Sequence, residues 1–351
     1  MQRLRRVSAA AWAASGVFAL ALAIRIVWVS YVDSPYDTIF SDMGGYVNRA
    51  LHAAYGTGDA PRIFETFYSP GTHLILAAQM RLVGFLNHAP FLLLHCIWGA
   101  VVAPCATLLA LRIVPRLSVA VALGVVVAVW DPLLSFTGFF SSEQPDAGLL
   151  AVSTWLLVRV IEGRRGAVVR ARMSQREHGV EGEFFFGPPS KGQSGEHREL
   201  HFDGYLGDPE ILDRARRLEV ARMTAGERVS RFLSNISLLF VNNDLWPENT
   251  QLNGRRWRGM TIDASKDVLL AIVCPLALLG LVSCFRRPTA VLVVIAAHVL
   301  TALVTAGFFY GEARYRVPYD VFLLLLALEG ARAWAPKVTR WLSPPSPAAA
   351  T

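Results

Sequence analysis

Charge is what this sequence has least of. Only 17% of its 351 residues are Asp, Glu, Lys or Arg, against about 25% in an ordinary soluble domain. The deficit is uneven. Charges vanish from several long stretches and gather at their ends, which argues against one large soluble core and reads as bilayer spans. Cysteine is scarce too. Cys96, Cys105, Cys274 and Cys284 all lie in apolar segments without the paired spacing of a zinc site, so they read as small core residues. His73, His88 and His95 also lack ligand spacing, so no metal is expected. The formal net charge is +7. Its arginines cluster beside apolar runs, so orientation in a membrane explains them better than nucleic acid does.

What is present is apolar sequence in long blocks. The stretch Val7–Tyr31 follows a basic start, Met1–Arg6. It is too long for a signal-peptide core and lacks a small-residue cleavage site before Asp33, so it reads as an uncleaved first span. Arg25 sits in its outer third, where arginine either snorkels to the headgroups or faces a phosphate inside the protein. Further spans are expected at Pro90–Ile113, Leu117–Leu134, Ala147–Ile161, Val268–Phe285, Thr289–Phe309 and Val317–Ala331. Two shorter segments, Asp42–Ala54 and Thr72–Leu86, read as interfacial helices in the first outer loop. The tail Ser343–Thr351 is rich in Pro and Ala and reads as disordered.

Positive charge orients the spans. Arg3, Arg5 and Arg6 put the N-terminus in the cytoplasm, as do Arg112 and Arg116 for the second turn. Arg159, Arg164 and Arg165, then Arg286 and Arg287, then Arg332, Lys337 and Arg340 mark further cytoplasmic ends. Val32–Asn87, Phe136–Asp146 and Tyr310–Arg316 therefore face the other side together. Parity then fails. Gly163–Asp267 must cross an odd number of times, yet its best apolar stretch, Phe232–Val241, is short and interrupted by Ser234, Asn235 and Ser237. Four regions follow: a membrane region 1–162 with its first outer loop at 32–89, a polar region 163–265, a second membrane region 266–335, and a cytoplasmic tail 336–351.

Polar clusters collect on the outer face. Asp42 stands where a helix begins, and Tyr46 is one turn on, so both can point the same way. Tyr68-Ser69-Pro70-Gly71-Thr72-His73 opens the second interfacial helix. Ser141-Ser142-Glu143-Gln144-Pro145-Asp146 precedes a span, where Glu143 or Asp146 can also simply cap the helix. Tyr310-Gly311-Glu312-Ala313-Arg314-Tyr315-Arg316-Val317-Pro318 is a dense charged turn. Positive charge there opposes the orientation rule, so a compensating role is expected. Arg314 and Arg316 can hold a phosphate by charge-assisted hydrogen bonds.

The order of these clusters resembles the polyprenol-phosphate-sugar-dependent glycosyltransferases of the GT-C fold. The nearest likeness is to the bacterial relatives of protein mannosyltransferases and aminoarabinose transferase. The likeness covers Met1 to about Glu162 and Lys266 to about Trp334. It implies an all-α polytopic bundle in the inner (plasma) membrane that moves a sugar from a polyprenyl-phosphate donor to an acceptor hydroxyl, without a cofactor. By position it implies a catalytic role for Asp42 and substrate-binding roles for Tyr46, Glu143, Arg314, Tyr315 and Arg316. Such enzymes carry more central spans, so a deletion joined near Arg172–Glu183 is expected. An inactive remnant and a transporter or flippase are the competing readings. A flippase should show internal repeats and mid-span polar residues; no repeat is present, and the polar clusters sit at span ends. Ile211–Phe232 reads as an amphipathic lid helix, and Trp246 and Trp257 as interfacial residues.

Overall fold

The computed structural model describes residues 2–37, 39, 41–57, 70–163, 223–241, 264–308 and 311–342. Among them every regular element is helical. The chain runs α1 (Gln2–Tyr31), α2 (Ser41–Tyr55), α3 (Pro70–Val83), α4 (His88–Ala100), α5 (Val102–Ile113), α6 (Leu117–Val129), α7 (Asp131–Ser135) and α8 (Glu143–Gly163). Then come α9 (Ala225–Val241), α10 (Ala264–Arg286), α11 (Ala290–Phe308), α12 (Ala313–Arg316) and α13 (Asp320–Leu342). Of the expectations for 163–265, only α9 and its immediate approach are described. The proposed junction at Arg172–Glu183, Trp246 and Trp257 lie outside the described residues, as does Ile211–Arg222 of the expected lid.

Among the described residues four helical stretches are long and apolar enough to cross a membrane: Ala9–Tyr31, His88–Ile113, Ala264–Arg286 and Ala290–Phe308. The bent pair Leu117–Val129 and Asp131–Gly138, which turns by 51°, makes a fifth if counted as one span. Seven spans were expected, and five of them, with the bent pair counted as one, meet this measure. Ala147–Ile161 and Val317–Ala331 do fall in helices, but neither α8 nor α13 meets the same measure of length and apolarity among the described residues. Both carry charge near their ends, and α13 opens only at Asp320. The expected single span Leu117–Leu134 is likewise broken.

Proline explains the interruptions. A proline supplies no N–H to the carbonyl four residues back. Pro104 leaves Ala100 without that donor, and α4 gives way to α5 at Val101. Pro132 does the same to Ala128, and α6 ends at Trp130. Pro275 follows a π turn at Leu269–Val273, which re-routes the ladder ahead of it.

Small residues set how closely the helices approach. In lipid, association relies on packing rather than on escape from water. Val17 and Ala21 of α1, Ala103, Ala106 and Ala110 of α5, and Ala120 and Ala128 of α6 form one wall of the core. At Gly124 a side chain would collide with Thr107 and Val17. Gly280 of α10 and Gly330 of α13 pack backbone to backbone. Ser283 of α10 then donates to Glu329 of α13, and Arg332 also bonds that carboxylate.

The ends of the bundle can be assigned from contacts. Arg112 pairs with Glu162 at 2.9 Å, so α5 and α8 finish together. Trp130, at the opposite end, donates to Asp320 at 2.8 Å and fixes where α13 starts. Gly280 abuts Leu326 while Ser283 bonds Glu329, so α10 and α13 descend side by side in the same direction. Consequently α8 and α10 run the same way, and the odd parity read from the sequence persists. Between Gly163 and Ala264 the chain passes from one end of the bundle to the other.

Helices α2 and α3 close the end where α1 finishes. Both are found where interfacial helices were expected. Their C-terminal ends lie together: the Tyr55 hydroxyl donates to the Met80 carbonyl at 2.6 Å, and Arg81 donates to the Ala53 and Ala54 carbonyls. Gly56 and Gly84, at φ +73° and +81°, terminate the two helices in the left-handed conformation.

Candidate functional site

The end capped by α2 and α3 is built around the segment that follows the α6 break. Every residue from Pro132 to Ser141 is buried. Of the stretch Phe136–Asp146, expected to face the outer side, Phe136–Ser141 are enclosed by protein. The physical reason is its aromatic content: Phe136, Phe139 and Phe140 are at most 2% exposed. Phe140 packs edge-on against Tyr36 and Phe91, with His95 on another side. Gly138 permits the closest approach, since a Cβ there would stand 2.9 Å from the Asp33 carboxyl.

Tyr46 belongs to the same aromatic layer. With Val47 and Ala50 it packs on Leu76, Ala77 and Met80 of α3, and on Phe91 and Phe140. Asp42 is placed in the first turn of α2; its side chain lies outside the described residues, as do Tyr68 and Ser69. Tyr36 ties this layer to the bundle. Its hydroxyl donates to the Phe85 carbonyl at 2.6 Å and its ring stacks on His88. Burial, reinforced by Tyr55, holds its phenol protonated well above the ordinary range.

The charged turn sits at the same end of the bundle, at the α11–α13 junction. Arg314 Nε donates to Glu312 at 2.8 Å, and its Nη2 donates to the Tyr315 hydroxyl at 2.8 Å. The guanidinium also lies 4.8 Å from the Tyr315 ring centroid. Arg314 remains partly exposed, with 16% of its side chain accessible. Arg316 is different. Its Nε donates to Asp320 at 2.8 Å and its Nη1 to the Leu239 carbonyl at 2.6 Å. Both partners of the Arg316–Asp320 pair are buried.

This inner network links four elements. Asp320 begins α13, where the helix dipole favours a carboxylate. Trp130 comes from the α6 break. Leu239 lies in the last turn of α9, whose carbonyls have no partner within the helix. Asn235 adds a bond from its side-chain amide to the Gly307 carbonyl at 3.2 Å. The C-terminal half of α9 is thereby docked on α11 and α12, while Thr224–Ser230 are all exposed.

Glu143 opens α8 and is buried, with the Ser142 hydroxyl at 3.5 Å. Asp146, in the same turn, is exposed. The start of α8 packs on the short 3-10 turn Val317–Tyr319. Glu143, Arg314, Tyr315 and Arg316 are thus brought to one end of the bundle, with Asp42 and Tyr46 on the α2 side of it. Among the described residues, no group of three or more His, Cys, Asp or Glu is placed to hold a metal ion.

Asp320 and Trp130 are absent from the residues expected at the site. The spacing of Arg316 to Asp320, four residues apart in a helical register, was a usable signal. Trp130 gave none, because its partner is remote in sequence. Comparison with protein-family models, with curated proteins and with solved structures finds no match for this chain.

Proposed function

We propose that this chain is a membrane glycosyltransferase of the GT-C kind. It moves a sugar from a polyprenyl-phosphate donor to an acceptor hydroxyl at the α2/α3 end of the bundle, which then faces away from the cytoplasm. The observation that carries this reading is the partly exposed Arg314, held by Glu312 and Tyr315 in a turn that is itself braced by Arg316 and Asp320. A guanidinium oriented in this way suits a phosphate whose negative charge grows as it leaves.

The chemistry assigned is a single displacement. The acceptor oxygen bonds to the anomeric carbon while the bond from that carbon to the phosphate oxygen breaks. The proton of the acceptor hydroxyl passes to the Asp42 carboxylate, and the polyprenyl phosphate departs as an anion with inversion at carbon. General-base assistance of this kind is worth about 10²–10⁴-fold. Arg314 binds the phosphate, with Tyr315 orienting it. Glu143 and Tyr46 line the acceptor side, and Arg316 positions the turn from beneath.

Two variants test the reading in membranes supplied with a labelled polyprenyl-phosphate sugar. Asp42→Asn is expected to lose transfer by about 10²-fold or more while still binding donor. Arg314→Ala is expected to weaken donor binding by about tenfold or more, since a hydrogen bond to a charged group is lost. Full transfer by Asp42→Asn would remove Asp42 as the base. Unchanged donor affinity and rate in Arg314→Ala would remove the phosphate role. The parallel run of α8 and α10 favours a second reading, an inactive remnant that retains the fold without a complete cavity. Absence of transfer by the unaltered chain, with donor still bound, would select it.

A further inference from the structure

Arg25 does not snorkel. It is 0% exposed, inside the bundle, although it lies only six residues before Tyr31 at the end of α1. Its Nη1 donates to two carbonyls at 3.3 Å, Ala21 in its own helix and Ala128 at the α6 break. The second carbonyl is available because Pro132 has no N–H to offer it. Nε and Nη2 have no hydrogen-bond partner among the described residues, and no carboxylate among them forms an ion pair with Arg25. Arginine keeps its charge in proteins. A buried cation without counter-charge is strongly destabilising.

The surroundings hold further open polar atoms. Gln144 meets Arg25 over the same face of Gly99: a Cβ on that glycine would stand 2.6 Å from Arg25 Nε and 3.2 Å from Gln144 Cδ. Gln144 donates to the His95 carbonyl at 2.6 Å, and its Oε1 is left open. His95 Nε2 and the hydroxyls of Ser135, Thr137 and Ser141 are also buried without partners. These come from α4, α7, the turn after it and the approach to α8. Together they offer one cationic fork, several neutral donors and one acceptor.

We propose that Arg25, Gln144, His95, Ser135, Thr137 and Ser141 form an intramembrane site for a phosphate oxyanion. The guanidinium fork fits two phosphate oxygens. The hydroxyls and imidazole serve the remaining oxygens, and Gln144 Oε1 accepts from a protonated one. Arg25 lies roughly 9 Å along the axis from the end of α1, so the ligand enters from the headgroup layer. Its source is either free phosphate or the phosphate of a lipid headgroup. The site is separate from Arg314 and does not rest on the transferase reading.

The test uses the full chain in a non-ionic maltoside detergent and follows thermal unfolding. The probes are inorganic phosphate and geranyl phosphate, each against sodium chloride at equal ionic strength. Both the unaltered chain and Arg314→Ala should be stabilised by at least one probe. Arg25→Gln should need about tenfold or more probe for half the effect. If Arg25→Gln fails to fold, the Thr137→Val/Ser141→Ala double variant keeps the cation and should still require several-fold more probe. A response to geranyl phosphate alone assigns the lipid source; a response to both assigns free phosphate. No stabilisation by either probe overturns the proposal. So does an equal response in the unaltered chain and every variant that folds, or a response lost in Arg314→Ala but kept in Arg25→Gln.

Discussion

Gly280→Ala is expected to destabilise the bundle by about 3 kcal/mol, at the high end for a single substitution. Helix propensity alone predicts the opposite sign, since Ala is favoured over Gly by about 1 kcal/mol in a helix interior. The contact decides. A Cβ at Gly280 would run into the Leu326 carbonyl and crowd the Gly330 backbone; one at Gly330 would run into the Leu276 carbonyl. Neither obstacle is a flexible side chain. α10 and α13 would have to separate, which strains the bond from Ser283 to the buried Glu329. The reciprocal change, Gly330→Ala, should cost a similar amount. Pairing the two should cost less than their sum, because one separation relieves both. Thermal unfolding in detergent measures this. A Gly280→Ala chain as stable as the parent would show that the close approach does not hold the helices.

Removing one partner of the Arg316–Asp320 pair should cost about 3–5 kcal/mol, the usual penalty for leaving a buried charge alone. Arg316→Met strands the Asp320 carboxylate with only the Trp130 indole, and it also releases the Leu239 carbonyl. The C-terminal half of α9 should then loosen from α11 and become open to protease. Asp320→Leu strands the guanidinium instead. The Arg316→Met/Asp320→Leu double variant should recover much of the loss, since apolar replacements of buried ion pairs are often tolerated. A double-mutant cycle reads the coupling directly. Simple additivity of the two single losses would mean that the pair is not a unit.

Much of this architecture was legible from Gly, Pro and charge. The start of α2 near Asp42 and the stop of α8 near Arg164 followed from helix signals and charge. The odd parity between Gly163 and Ala264 also followed from charge, and the helix directions reproduce it. Pro132 and Pro275 stood in plain sight, yet a hydropathy window averages across a break, so Leu117–Leu134 read as one span. The burial of Pro132–Ser141 could not be read locally. It depends on α2 and α3 packing over Phe140 and on the bundle core enclosing Phe136. The commitment of Arg316 to Asp320 was equally hidden, because a residue-by-residue reading ranks every arginine in a charged turn alike. Arg25 had two readings in sequence, and only its enclosure by α4, α6 and α8 separates them.

The burial of α13 has a consequence for how the chain is made. Val321–Ala327 are buried on every side, so protein rather than lipid surrounds that stretch. Glu329 and Arg332 follow within two turns, and the helix does not reach the apolarity of the four crossing stretches. Such a helix has little reason to enter a bilayer alone. Its partners, α5, α10 and α11, precede it in the sequence and are already synthesised when it emerges. Insertion of α13 thereby becomes an assembly step, in which a groove already formed by earlier helices takes the place of the solvent.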